Sequence, residues 1–184
     1  MPRICLLLAI VLVSVAATAD GRPEVPDFEL AGTDGKPTRL HAAATDRVAV
    51  VFFWATWCPY CRALAPHLQS MVLEHGDAIE VLAVNIHEDG DPAAYLADNA
   101  LDFRLLLSGE TVAEDWGVTG TPRVYVVGCS RSLYFDQRTL PPRPNVDLSG
   151  NHRSRAAAQA PYWAAEIRKG IDAATAAVAA GCAT

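Results

Sequence analysis

The order of segments along this chain of 184 residues predicts an α/β fold, one sheet with helices on both faces. Three observations carry that reading. Residues 48–54 form a continuous apolar, β-rich run, the pattern of a strand buried on both faces. Similar runs recur at 80–86 and 103–107, separated by stretches of helical character. The chain then closes with a hairpin pattern and an Ala-rich helix.

Each element has its own signal. Residues 21–39 are rich in Gly, Pro and Asp, and Asp34-Gly35 is a turn that closes a small hairpin before Leu40. Residues 59–75 read as a helix ended by Gly76 as its C-cap. Asp91-Pro92 supplies the preferred cap and first position of another helix. A short helix follows at 110–116, then strands at 123–128 and 133–136 that turn at 128–131. Pro141, Pro142, Pro144 and Gly150 make 138–154 an irregular loop insertion. The terminal helix is expected over 161–180. No internal repeat interrupts this order.

Half the residues (51%) are apolar, enough to fill a core without a disulfide staple. A net charge of −6 carries no basic nucleic-acid footprint. Residues 1–19 read as a signal peptide: Arg3 gives the positive start, residues 4–17 are almost wholly apolar, and Ala17-Thr18-Ala19 is a small-x-small cleavage pattern. The apolar stretch falls short of the ~20 residues that span a bilayer, so cleavage is expected over an uncleaved anchor. Cys5 lies inside that stretch, where lipid attachment is not expected. The remainder, 20–184, is one domain. Export permits disulfides, and Cys58, Cys61, Cys129 and Cys182 form an even set with three pairings.

Cys58 falls where the buried strand gives way to a helix. Unpaired N–H groups and the positive end of the helix dipole there stabilise a thiolate. Cys61, one turn on, is placed to displace a mixed disulfide formed at Cys58. Pro59 suits the first helical turn, which needs no N–H donor. A structural disulfide over this spacing is uncommon. A zinc site needs four ligands, and the chain has no second such pair; His67 on the same helix stands alone and reads as a surface residue.

The run from Val50 to Cys61, ending Trp57-Cys58-Pro59-Tyr60-Cys61, resembles a thioredoxin-superfamily active site. Pro66 matches that family's helix-kinking proline, and residues 117–122, ending Thr121-Pro122, resemble its cis-proline loop. Residues 26–30 with Asp34-Gly35-Lys36, and the extra helical unit at 85–102, resemble the TlpA/ResA/CcmG-like group of exported thiol–disulfide oxidoreductases. The resemblance implies a thioredoxin-like fold with an N-terminal β-hairpin, a central extra helix and a C-terminal helix. It implies catalysis by Cys58 and Cys61, with Trp57, Pro59, Tyr60, Thr121 and Pro122 beside the client. A cis Pro122 would leave the Thr121 backbone open to an extended substrate. The substrates would be protein thiols and disulfides, handled in the periplasm by a monomer that needs no cofactor or metal. A reductase of this kind would draw electrons from a membrane donor of the DsbD/CcdA type. Some members of the group serve cytochrome c maturation; an oxidase or isomerase, or a docking module with incidental cysteines, are the alternatives.

Topology of that fold sends the hairpin strand and the last helix to the end remote from the active site, so Cys129 and Cys182 are expected to pair. The same topology brings 138–154 to the active-site end, where Arg138, Arg143, Arg153, Arg155, Asn145 and His152 could touch a substrate. Three features depart from the family pattern. Phe52 stands where thioredoxins carry a buried aspartate, and Leu64 where the cytochrome c maturation members usually carry a glutamate; a carboxylate at either place would help deprotonate the resolving cysteine. Pro-Tyr is a glutaredoxin-like dipeptide. Tyr60 is read as an exposed aromatic or a peptide contact, and Arg62 as a solvated position or a minor influence on the thiols.

Overall fold

A computed structural model describes residues 21–129, 131–143 and 149–182. The signal-peptide reading and Asn145 lie outside these residues. The first strands, β1 (Glu29–Ala31) and β2 (Pro37–Arg39), form the expected antiparallel hairpin, followed by a one-turn helix α1 (Leu40–Ala43). The main sheet has the order β5-β4-β3-β6-β7. Its strands are β3 (Val48–Trp54), β4 (Ile79–Asn85), β5 (Arg104–Leu106), β6 (Arg123–Gly128) and β7 (Ser132–Asp136). β3, β4 and β5 are parallel, and β6 and β7 complete the sheet antiparallel. This is the thioredoxin-like arrangement with its N-terminal hairpin.

β3 is central and divides the core by simple alternation. Val48, Val50, Phe52 and Trp54 face one buried cluster, which includes Leu64 and Leu68 of α2 (Pro59–His75) and Ile167 and Ile171 of α5 (His152–Ala179). Ala49, Val51 and Phe53 face the other, with Leu40, Trp116 and Val112 of α4 (Glu110–Asp115). A side-chain period of two on a strand covered on both faces makes both sets apolar. The extra helix α3 (Pro92–Asp98) starts as expected, with the Asp91 carboxylate accepting from Ala94 N–H at 2.9 Å. α5 packs so closely on β7 that a Cβ at Gly170 would lie 2.6 Å from Phe135 Cβ, which requires glycine there.

One expectation needs correction. The terminal helix begins at His152, well before Pro161, so the irregular stretch is shorter than 138–154. Residues 137–139 form a 3₁₀ turn capped by the Asp136 carboxylate, and Asn151 caps α5 by accepting from Ser154 N–H at 3.0 Å. Pro161 sits inside the helix on an exposed position. The carbonyl that loses its helical partner there belongs to Ala157, also exposed, so the cost is small.

Cys129 and Cys182 form a disulfide with Cα atoms 5.3 Å apart, tying the end of β6 to the end of α5. It spans 53 residues, and closing such a loop in the unfolded chain corresponds to about 4 kcal/mol on the entropy model. A Cys129→Ser/Cys182→Ser variant is expected to lose a stability of about that size in urea unfolding, with m rising as the uncrosslinked unfolded chain exposes more surface. Reaction of Cys129 and Cys182 with a thiol reagent in the non-reduced, denatured protein would show that the bond does not form.

Candidate active site

Cys58 is the residue at which β3 has ended and α2 has not begun, with φ −75° and ψ 111°. Its sulfur takes the place of the usual capping oxygen and accepts from Cys61 N–H at 3.2 Å. Pro59 occupies the first helical turn as expected, and Pro66 lies inside α2. The Thr121–Pro122 bond is cis. Both thiols are nearly buried, Cys58 at 2% and Cys61 at 0% exposure.

The two sulfurs are electrostatically unequal. Cys58 is lowered to about 6: hydrogen bonding from the Cys61 side chain is the largest cause, opposed by burial and helped by the Thr121 side chain and the backbone of Cys61 and Tyr60. Cys61 moves the other way. Burial raises it most, followed by the hydrogen bond it gives Cys58 and repulsion from a negative Cys58. At neutral pH the pair therefore holds one thiolate and one thiol, with the shared proton on Cys61. Phe52 and Leu64 explain the apolar side of this balance. Both are fully buried in the same cluster as Cys61 and offer it no polar partner.

A carboxylate does reach this region from far along the chain. Glu88, in the loop between β4 and α3, accepts from Thr56 N–H at 2.9 Å and Thr56 Oγ1 at 2.6 Å. It also accepts from Asn85 Nδ2 at 2.7 Å and from the N–H groups of Asp89 and Gly90. Burial works against its charge, but the bonds from Thr56, Asn85 and Gly90 outweigh burial and hold it below the ordinary carboxylate range. Glu88 is not among the groups that shift either cysteine. Its work is to hold the turn before Cys58. Gly90 is required beside it, because a Cβ there would lie 2.7 Å from Thr56 Oγ1.

Other parts of the same loop complete the cradle. Trp57 is half exposed, and its indole N–H donates to the His87 carbonyl at 2.7 Å. His87 has φ 50°, a costly left-handed conformation, and its own N–H donates to Glu110 at 2.8 Å. Sequence reading missed Glu88, His87 and the Thr121 side chain, since each acts across a gap that no local pattern marks. Tyr60 is half-buried, braced by Trp163 at 6.0 Å and His152 at 6.2 Å between ring centroids, and does not stand out from the surface. Arg62 lies over the Tyr95 ring at 5.6 Å and is not among the groups that shift Cys58. His67 is half-buried, and no metal-binding cluster occurs among the described residues.

The loop arginines divide. Arg138 is held by the Asp136 carboxylate and the Trp116 carbonyl, and Arg143 by the Ala158 carbonyl. Arg155 donates to the Gly150 carbonyl at 3.0 Å. Of the described members of that set, His152 and Arg153 line a groove beside Trp57 and Pro59.

The fold, with a paired thiol and thiolate at a helix start beneath a cis-proline loop, defines a thioredoxin-like thiol–disulfide oxidoreductase. The chain belongs to the AhpC/TSA family, whose model matches residues 22–137. It is 32% identical over 126 residues to the thiol:disulfide interchange protein HelX of Rhodobacter capsulatus, covering 60% of this chain and 70% of that one. It is 29% identical over 108 residues to the thioredoxin-like protein YneN of Bacillus subtilis, covering 56% of this chain and spanning 63% of that relative's length. Among solved structures, a Chlorobium tepidum protein provisionally named thiol:disulfide interchange protein DsbE shares 27% identity at a TM-score of 0.55, covering 61% of this chain and 80% of its own. A hypothetical protein of Sinorhizobium meliloti shares the fold at a TM-score of 0.62 and 18% identity, over 84% of each chain.

Two measurements check this geometry. Alkylation of the reduced protein at Cys58 is expected to rise with pH around about 6 and to level off by neutral pH. A midpoint near the ordinary thiol value of ~8.5 would contradict the hydrogen bonding described. Glu88→Ala is expected to cost about 2 kcal/mol at pH 7, the size of hydrogen bonds to a charged group. Because the folded pKa is depressed, this contribution is full above the unfolded value of ~4.3 and is lost as pH falls through the lowered value. The gap between wild type and variant in thermal unfolding should therefore narrow as pH falls below the unfolded value of ~4.3; equal stability at pH 7 would contradict it.

Proposed function

We propose that this chain works outside the cytoplasm as a reductase of protein disulfides, through Cys58 and Cys61. The observation that carries the reading is the opposite displacement of the two thiols. The Cys58 thiolate attacks a client disulfide, forming a mixed disulfide and expelling one client thiolate. Cys61 then loses its proton and attacks Cys58 Sγ. The second client sulfur leaves, and a Cys58–Cys61 disulfide remains. Two electrons pass to the client; one proton comes from Cys61 and the second from solvent.

Mixed-disulfide formation also frees Cys61. Two of the causes that raise it, the bond to Cys58 and the repulsion from its charge, disappear once Cys58 Sγ is covalently engaged. Only burial still opposes its ionisation to a comparable degree. The resolving thiol is thus held in reserve until a client is attached.

Trp57, Pro59, Thr121 and Pro122 surround the attacking sulfur as client contacts, and Tyr60 acts by holding α5. The apolar start of the sequence supports export to the periplasm, with cleavage near Ala19. Among the described residues no helix is long and apolar enough to cross a membrane. Re-reduction is assigned to a membrane donor of the DsbD/CcdA type, and the working unit to a monomer. Apocytochrome c cysteines are one client class, on the resemblance of residues 26–36 and of the helical unit at 85–102 to the TlpA/ResA/CcmG-like group.

Direction follows from the size of the thiolate stabilisation. A Cys58 value of about 6 lies closer to thioredoxin's ~7 than to the ~3.5 of the strong oxidant DsbA. Equilibration with glutathione buffers reads the reduction potential directly. A potential below about −200 mV supports a reductase; one above it reverses the direction to oxidase or isomerase. The potential should fall by about 30 mV per pH unit above pH 6, where one proton accompanies two electrons, and by about 59 mV per unit below it.

A further inference from the structure

A groove of about 770 Å³ opens beside the thiol pair, between the start of α2 and the start of α5. Trp57, Pro59 and Arg62 form one wall; His152, Arg153 and Ala157 form the other. Trp57 and Pro59 are the two chain neighbours of Cys58, so the groove begins one residue from the attacking sulfur. It exists because α5 starts early, at His152, and is braced there against Tyr60.

The walls have a definite chemistry. Trp57 is 50% exposed, and only Leu73 is also a large exposed hydrophobic among the described residues. Arg62 and Arg153 are exposed on opposite walls, and neither is ion-paired among the described residues. Both line the groove that Trp57 also lines, Arg62 with its guanidinium over the Tyr95 ring at 5.6 Å, in a chain of net charge −6. On the other side of Trp57 the sign reverses. The loop that receives the Trp57 N–H also carries Glu88, Asp89 and Asp91, with Glu88 and Asp91 already engaged by backbone N–H groups. The surface around the thiols is therefore polar across Trp57, basic toward α5 and acidic toward the loop between β4 and α3.

We propose that this groove is a specificity subsite for client polypeptides that carry acidic side chains on one flank of the reactive cysteine. The inference rests on the exchange reading above and adds the substrate class. An acidic flank lies over Trp57 and Pro59 toward Arg62 and Arg153. The same residues on the opposite flank meet Asp89 and Asp91 and are disfavoured. The groove thus sets both the preferred composition and the direction of the bound segment.

The test uses disulfide-linked peptide dimers in which two Asp, two Gln or two Lys residues lie on the N-terminal or the C-terminal side of a single cysteine. Reduced full-length protein is given each dimer, and kcat/KM is measured with a chemical reductant regenerating the dithiol. One of the two acidic dimers is expected to react about fivefold faster than its Gln counterpart, the size of two exposed ion pairs, and the other no faster. The preference should shrink to within about twofold at ~0.5 M salt. In Arg62→Gln/Arg153→Gln the acidic-over-neutral ratio should collapse toward one; Arg153→Gln alone, at an exposed helix start, should roughly halve it. Equal rates for acidic and neutral dimers in the wild type would overturn the subsite while leaving the exchange reading intact, as would a ratio that survives both substitutions or high salt. Failure to reduce any dimer would overturn the exchange reading itself, and the subsite with it.

Discussion

The site depends on where one proton resides. Cys58 Sγ sits at a helix start with donors from Cys61, Thr121 and backbone groups around it, while Cys61 is sealed in the apolar core. A sulfur surrounded by donors favours the anion, and a sulfur surrounded by hydrocarbon favours the thiol. The sheet supplies this contrast. β3 ends at Trp54, the turn delivers Cys58 to the N-cap of α2, and one further turn carries Cys61 beneath it. Neither cysteine would differ much from free cysteine without that junction.

The same contrast accounts for the missing carboxylates. An acid at position 52 or 64 would give Cys61 a base but would also add negative charge beside a thiolate. Phe52 stacks on Trp54 and meets Phe103 edge-on, so that volume is committed to packing. The resolving thiol is controlled by Cys58 itself, through a bond and a repulsion that exist only before the client attaches. Glu88 places a carboxylate near the loop for another purpose, fixing Thr56 and the turn through five hydrogen bonds.

Much of this was readable in the residue order, for physical reasons. Strand burial on both faces of 48–54, the Asp91-Pro92 cap and the Asp34-Gly35 turn are local and leave local marks. The Cys129–Cys182 pairing was readable once the topology was, because both residues end elements that run the same way. The start of α5 was not. Pro161 reads as a first helical position, yet its exposed place lets the helix pass through it, and the cap at Asn151 is unremarkable in a loop rich in proline. Glu88 was hidden for a different reason. It lies 32 residues from Thr56, and only the parallel pairing of β3 with β4 brings the two together.

The central claim is that Cys58 attacks and Cys61 resolves. Cys61→Ser removes resolution while keeping a hydroxyl at the buried position. Mixed with a disulfide-bonded protein at pH 7, this variant should accumulate a covalent adduct whose mass and peptide map place the bond on Cys58, and reductant should release it. Cys58→Ser should form none. An adduct on Cys61, or no adduct with either variant, would contradict the account.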